Sequence, residues 1–183
     1  MCLDIKVRTA LADVCQKEVY VRTGLSVPHA DSLSLMRSRE QCAQNLCGYY
    51  GASCTCPPSC PSPEECIHRL HQYTRCAIII RSYAGDVSDR DRTGHVLHAF
   101  QEICRNAQKV LRMNGIDVLV LAGGPCTYCS ECEAVFSRPC RFPDMQIPSI
   151  SVYGIDVNSF LDDNGIGTDS VDGQITLYGL VLY

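Results

Sequence analysis

The residues of this chain best suited to chemistry are its cysteines, and ten of the fourteen are gathered into two short stretches. The first holds Cys42, Cys47, Cys54, Cys56, Cys60 and Cys66; the second holds Cys126, Cys129, Cys132 and Cys140. Thiolates bind soft metals and attack electrophiles, and exposed free thiols oxidise, so this density implies sulfur bonded to something. Disulfides, zinc and iron–sulfur clusters are the candidates.

The second stretch reads Cys126-x2-Cys129-x2-Cys132-x7-Cys140. Two residues between ligands let successive sulfurs wrap one face of a compact cluster, and a more distant fourth cysteine completes the set, as in bacterial ferredoxins. One departure is that Pro139 precedes Cys140, whereas the ferredoxin cysteine is followed by proline. Zinc knuckles prefer paired cysteines separated by a longer stretch, which the triplet matches less well. The expected occupant is a 4Fe-4S iron–sulfur cluster on Cys126, Cys129, Cys132 and Cys140, with zinc as the alternative. The first stretch is looser, Cys42-x4-Cys47-x8-Cys56, with Cys54, Cys60 and Cys66 as additional thiols. In Cys56-Pro57-Pro58 the prolines restrict the backbone beside a ligand and lower the entropy cost of ordering it. A second metal site is expected on Cys42, Cys47 and Cys56. The six thiols suffice for a second cluster, for a fourth ligand to the first, or for spectators, and the spacing does not choose.

Cys76 heads an apolar run and Cys104 lies on an apolar helical face, the usual setting of cysteine as a small buried hydrophobe. His68/His71 and His95/His98 have i, i+3 spacing, but neither pair has an acidic partner at a diagnostic position, so ligation is not expected of them. There is no phosphate loop, no nucleophile elbow and no dinucleotide fingerprint. Gly123-Gly124-Pro125 leads into the second stretch, and its glycines are expected to let the backbone approach a cluster.

The elements that must position these cysteines are legible mainly in the second half. Asp31 to Glu40 suggests a short helix, while residues 4–21 show no clean period and 26–34 read as a connection. Glycines and prolines exclude regular structure from most of 42–66. Ser62-Pro63-Glu64-Glu65 is a helix start, with a capping serine, proline in the first turn and acids at the positive end of the dipole. Cys76 to Ile80 and Ile116 to Ala122 are apolar runs typical of buried strands. Between them, Asp86 to Thr93 reads as a charged loop and His95 to Met113 as a helix stopped by Asn114-Gly115. Val157 to Asn164 and Gln174 to Tyr183 read as a helix and a final strand. Strand, helix and strand predict a right-handed parallel crossover, with the second cysteine stretch at the carboxyl end of a strand, where ligand sites gather. The expectation is one α/β domain over residues 1–183: a small, mostly parallel sheet with a βαβ crossover and two cysteine-rich metal-binding loops, at 42–66 and 126–140.

Apolar residues make up 46% of the chain, enough for a real core. The net charge is −4 and the pI near 5.7, with no basic stripe of the kind that binds nucleic acid. The longest apolar run, Val118 to Gly124, is too short to span a membrane, and the first residues lack the apolar stretch of a signal peptide. A cytoplasmic location is therefore expected, where structural disulfides are rare. Nothing in the residues sets an oligomeric state.

Several motifs, in order, resemble an uncharacterised prokaryotic family labelled predicted metal-binding proteins, domain of unknown function 2284. They are Cys42, Cys47, Tyr50-Gly51, Cys56-Pro57-Pro58 and Pro61-Ser62-Pro63-Glu64, then Gly124-Pro125-Cys126-x2-Cys129-x2-Cys132. Cys140-Arg141-x-Pro143, Pro148-Ser149, Gly154-Ile155-Asp156-Val157 and Tyr178-Gly179-Leu180-Val181-Leu182 follow, so the likeness covers residues 42–183. Phe142 stands where the family usually has histidine, Ile147 where it has arginine and Ser151 where it has glutamate. The resemblance implies metal binding on cysteine and supplies no reaction. The functional expectation is an iron–sulfur protein carrying out redox chemistry or small-molecule activation, served by an electron-transfer partner or a small-molecule substrate. The competing readings are a zinc-stabilised binding module without catalysis, and a thiol-exchange or metal-trafficking protein using Cys54, Cys60 and Cys66.

Overall fold

The structure is a computed structural model and describes residues 2–15, 18–167 and 172–183. Helix α1 (Leu3–Val14) leads into strand β1 (Tyr20–Leu25) and helix α2 (Ser32–Ala43). Helix α3 (Pro63–Leu70), strand β2 (Cys76–Ala84) and helix α4 (Arg90–Met113) follow, then strand β3 (Leu119–Ala122), helix α5 (Val157–Asp163) and strand β4 (Gln174–Leu182). Local chemistry explains the helix starts. Asp31 and Ser62 each form a reciprocal capping box, with Ser34 and Glu65 respectively. Asp89 caps α4 by accepting the Arg92 N–H at 2.9 Å. That cap starts the helix five positions ahead of the expected His95, in a stretch that read as a charged loop. Its first turn is exposed and polar, so no apolar period marks it.

The sheet corrects the sequence expectation. It is four-stranded in the order β1-β2-β4-β3, and every pair of neighbouring strands is antiparallel. Because β2 and β3 both run antiparallel to β4, they point the same way. They are not neighbours, however: β4 occupies the gap, with Ile78 opposite Leu180 and Leu121 opposite Leu180 from the other side. The last strand is therefore central, which explains why it is apolar on both faces. Two elements had no legible signal, α1 and β1; β1 pairs with β2 from Tyr20↔Ile80 to Leu25↔Cys76.

Helices cover both faces. On one, α1 and α4 bring Val7, Leu11, Phe100, Ala107 and Leu111 against Ala77, Ile79, Val120 and Val181. On the other, Leu35 of α2, Leu70 of α3 and Phe160 of α5 pack on Ile78, Leu121, Leu180 and Leu182. Cys76 and Cys104 are fully buried in these two layers, as the packing role of cysteine requires. Gly179 shows how closely α4 sits on the sheet: a Cβ there would lie 2.8 Å from Cys104 Sγ. No helix among the described residues is long and apolar enough to cross a membrane.

Candidate metal centre

Strand β3 delivers the chain into the second cysteine loop, and the loop returns to where it left. Ala122 donates its N–H to Pro148 O at 3.0 Å and accepts from Ile150 N–H at 3.0 Å, so residues 123–147 form an excursion closed at its base. Gly124 has φ +77, and a Cβ on it would meet Leu97 Cδ1 at 2.8 Å, so this glycine lets the chain pass close against α4.

Helix α4 then holds the loop through a buried polar row at i, i+4, i+7. Gln101 Nε2 donates to Pro125 O at 2.9 Å, the Arg105 guanidinium lies over the Tyr128 ring at 5.5 Å, and Gln108 Nε2 donates to Asp144 O at 2.8 Å. Gln101 is 0% exposed and Arg105 3%, positions where polar side chains persist only when their hydrogen bonds are made. These supporting residues were not singled out from sequence; their signal is a polar row interrupting the apolar face of a long helix. Glu133, a mostly covered carboxylate, ties the far side by pairing with Arg141 Nε at 3.0 Å and Arg138 Nη1 at 3.7 Å.

Within this frame Cys126, Cys129, Cys132 and Cys140 line one small cleft of about 20 Å³. The four expected ligands of the second loop are thus brought together. A fifth cysteine joins them from the first loop: Cys54 lies with its Sγ 3.5 Å from Cys132 Sγ and donates its backbone N–H to that sulfur at 3.2 Å. Phe142 N–H donates to Cys140 Sγ at 3.4 Å. Thr55, 2% exposed, accepts the Cys126 N–H on Oγ1 at 3.1 Å and shares a 3.0 Å hydrogen bond with Ser53. Tyr128 and Phe142 meet edge to face, with ring centroids 5.3 Å apart, at the rim of the cleft.

The other three expected ligands, Cys42, Cys47 and Cys56, do not line this cleft. Cys42, Cys47 and Cys60 lie near enough to Cys56 for their charges to act on it. Burial raises the Cys56 thiol pKa to about 11, and repulsion from Cys47, Cys42 and Cys60 adds to the shift. The two loops therefore meet through Cys54-Thr55-Cys56, whose two cysteines serve different groups of sulfurs. None of the described histidines lines the cleft. Of the positions that depart from the family pattern, Phe142 is half exposed at the cleft, Ile147 is fully buried beneath α4, and the Ser151 hydroxyl bonds Ser149 Oγ at 2.8 Å.

The sulfurs of the cleft are electrostatically unequal. Burial opposes ionisation of Cys132, but N–H donation from Ala134 and Cys54 and the Cys54 thiol outweigh it, holding Cys132 below the ordinary thiol range. Cys54 moves the other way: burial raises it, and donation to Cys132 together with the neighbouring Cys132 and Cys140 charges raises it further.

All fourteen cysteines are unpaired, so disulfides do not account for either group. Among the described residues no three or more His, Cys, Asp or Glu side chains close around a single point as ligands of one ion. The donor set nevertheless fits a thiolate-held metal. Five of the residues lining the cleft are cysteines and none is His, Asp or Glu, two of the sulfurs accept backbone N–H bonds, and buried Thr127 Oγ1, in the same loop, has no partner.

No curated protein matches the chain, and neither does any solved structure. A family model described as predicted metal-binding protein, domain of unknown function 2284, matches residues 31–183. That span runs from the cap of α2 to the end of the chain and contains both groups of cysteines, and the chain belongs to this family of predicted metal-binding proteins.

Proposed function

We propose that this protein is a cytoplasmic iron–sulfur protein with a 4Fe-4S centre on Cys126, Cys129, Cys132 and Cys140. Its role is redox chemistry or the activation of a sulfur- or oxygen-bearing small molecule. The observation that carries the reading is the convergence of thiols from two distant chain segments on one cleft, with N–H···S bonds at Cys132 and Cys140. Hydrogen bonds to ligand sulfur and control of solvent access are the means by which proteins tune such centres. When bound, a centre of this kind stores an electron, or acts as a Lewis acid where an iron lacks a thiolate.

The chain's own residues have separate tasks in this reading. Cys54 donates its backbone N–H to Cys132 Sγ, offsetting negative charge on that sulfur, and its own Sγ lies 3.5 Å away. Tyr128 and Phe142 shelter the mouth, and Glu133 with Arg138 and Arg141 keeps the loop between Cys132 and Cys140 closed. Cys42, Cys47 and Cys56 serve a second metal site. The partner is an electron carrier or a small-molecule substrate.

Anaerobic purification followed by counting iron, acid-labile sulfide and zinc tests the proposal. A brown protein with about eight irons and matching sulfide is expected if both sites hold 4Fe-4S clusters. A colourless protein with stoichiometric zinc and no sulfide replaces it with the zinc-stabilised binding module.

A further inference from the structure

A cation without an anion lies against the first cysteine loop. Arg39, on α2, donates from Nη1 to Cys60 Sγ and from Nη2 to Pro61 O at 2.7 Å, Val152 O at 3.4 Å and Cys66 Sγ at 3.7 Å. Its Nε is buried with no partner, and among the described residues no carboxylate pairs with Arg39. A guanidinium stays charged in any protein, and a charge withdrawn from water needs an opposite charge or a dense shell of acceptors. Its acceptors are two backbone carbonyls and two sulfurs, and of these only the sulfurs can carry negative charge.

The two sulfurs are not equivalent. Cys66 is fully buried in the apolar layer under α2 and α3, and its Sγ lies 3.8 Å from Pro61 O, which accepts its proton. It is a thiol in a packing position. Cys60 belongs to the same layer but keeps 9% of its surface exposed. Cys56 N–H bonds Ser53 O at 3.0 Å and Cys60 N–H bonds Cys56 O at 3.0 Å, so a hydrogen-bonded turn joins Cys56 to Cys60. Cys42 follows Arg39 by three positions on α2, which places thiol and guanidinium on a shared face. Asn45 N–H then returns to Cys42 O at 3.0 Å and Gly51 N–H to Pro57 O at 2.8 Å, folding the Cys47 segment back over Cys56.

We infer that Cys60 is the fourth thiolate of a second metal centre made by Cys42, Cys47, Cys56 and Cys60, with Arg39 as its partly buried counter-cation. This rests on the reading of the cysteine loops as metal centres and adds the ligand and the charge that complete the second one. The set Cys42-x4-Cys47-x8-Cys56-x3-Cys60 is then contiguous in sequence, while Cys54 leaves it to bond Cys132 in the neighbouring cleft. Metal-bound sulfur keeps its negative charge, so the Arg39–Cys60 contact is a charge-assisted hydrogen bond of a kind that adjusts a metal centre's potential.

The test compares anaerobically purified wild type with Cys60→Ala, Cys60→Ser, Cys66→Ala and Arg39→Met, with folding checked by circular dichroism. Cys60→Ala and Cys60→Ser are expected to lose about half of the bound metal and one set of electron paramagnetic resonance signals, whereas Cys66→Ala keeps both. Arg39→Met is expected to keep the metal and to shift the midpoint potential of one centre, not both, to more negative values, because a positive charge near the reduced centre is lost. A full metal complement in folded Cys60 variants, or equal loss in Cys66→Ala, overturns the assignment while leaving the first cleft intact. Unchanged potentials in Arg39→Met overturn the role of the cation. Wild-type protein without any bound metal overturns the underlying reading of both loops instead.

Discussion

At the scale of single residues, the protein distinguishes cysteines that look alike in sequence. Cys54 and Cys56 are separated only by Thr55, yet one bonds Cys132 and the other faces Cys42, Cys47 and Cys60. Spacing arguments could nominate Cys126, Cys129, Cys132 and Cys140 because their separation is local. They could not divide the first stretch, because which way each thiol faces depends on turns stabilised by distant partners. Two outcomes follow at this scale. In metal-free folded protein under limiting iodoacetamide near neutral pH, Cys132 should alkylate ahead of Cys54, since its thiolate is held at lower pH; peptide mass spectrometry reads the order. Thr55→Val should cost about 1–3 kcal/mol in denaturant unfolding by orphaning the Cys126 N–H, while Thr55→Ser should retain most of the stability.

At the scale of elements, α4 is both a core helix and the mount of the cleft. Its apolar row packs on the sheet, and the adjacent row of Gln101, Arg105 and Gln108 satisfies carbonyls and an aromatic ring of the cysteine loop. The helix was legible over its apolar part because Val96, Phe100, Ile103, Ala107, Val110 and Leu111 keep its period; its polar row had no meaning until the loop was seen to lie on it. Contact between α4 and β4 depends on the missing side chain of Gly179. Gly179→Ala should destabilise by about 1–3 kcal/mol through overpacking against Cys104 Sγ. Combining it with Cys104→Ala should recover part of that loss, a coupling that a double-mutant cycle on unfolding free energies measures. Recovery is expected because the sulfur is the nearest atom to the added methyl group.

At the scale of the whole molecule, the two ends of the chain are fastened together beside the sheet. Tyr183 OH donates to Asp4 Oδ1 at 2.8 Å and accepts the Gly24 N–H at 2.9 Å, joining the end of β4 to α1 and β1. Burial, reinforced by the hydrogen bond to Asp4, raises the folded-state pKa of Tyr183 well above the ordinary tyrosine value. The contribution is therefore complete below the ordinary tyrosine pKa of about 10 and is lost as pH rises through the higher folded value. Tyr183→Phe should lower stability by about 1–3 kcal/mol at neutral pH and flatten its decline above about pH 10, as thermal unfolding across an alkaline series would show. What the amino-acid sequence determined alone is whatever depends on neighbours along the chain: the helix caps, the apolar runs that became β2, β3 and β4, and the clustering of thiols that marks metal chemistry. Tertiary structure alone decided that β4 enters between β2 and β3 and makes the sheet antiparallel, because strand order is a matter of which buried faces find each other. It also decided how the first cysteine stretch divides, because each sulfur is aimed by hydrogen bonds from residues far away in sequence.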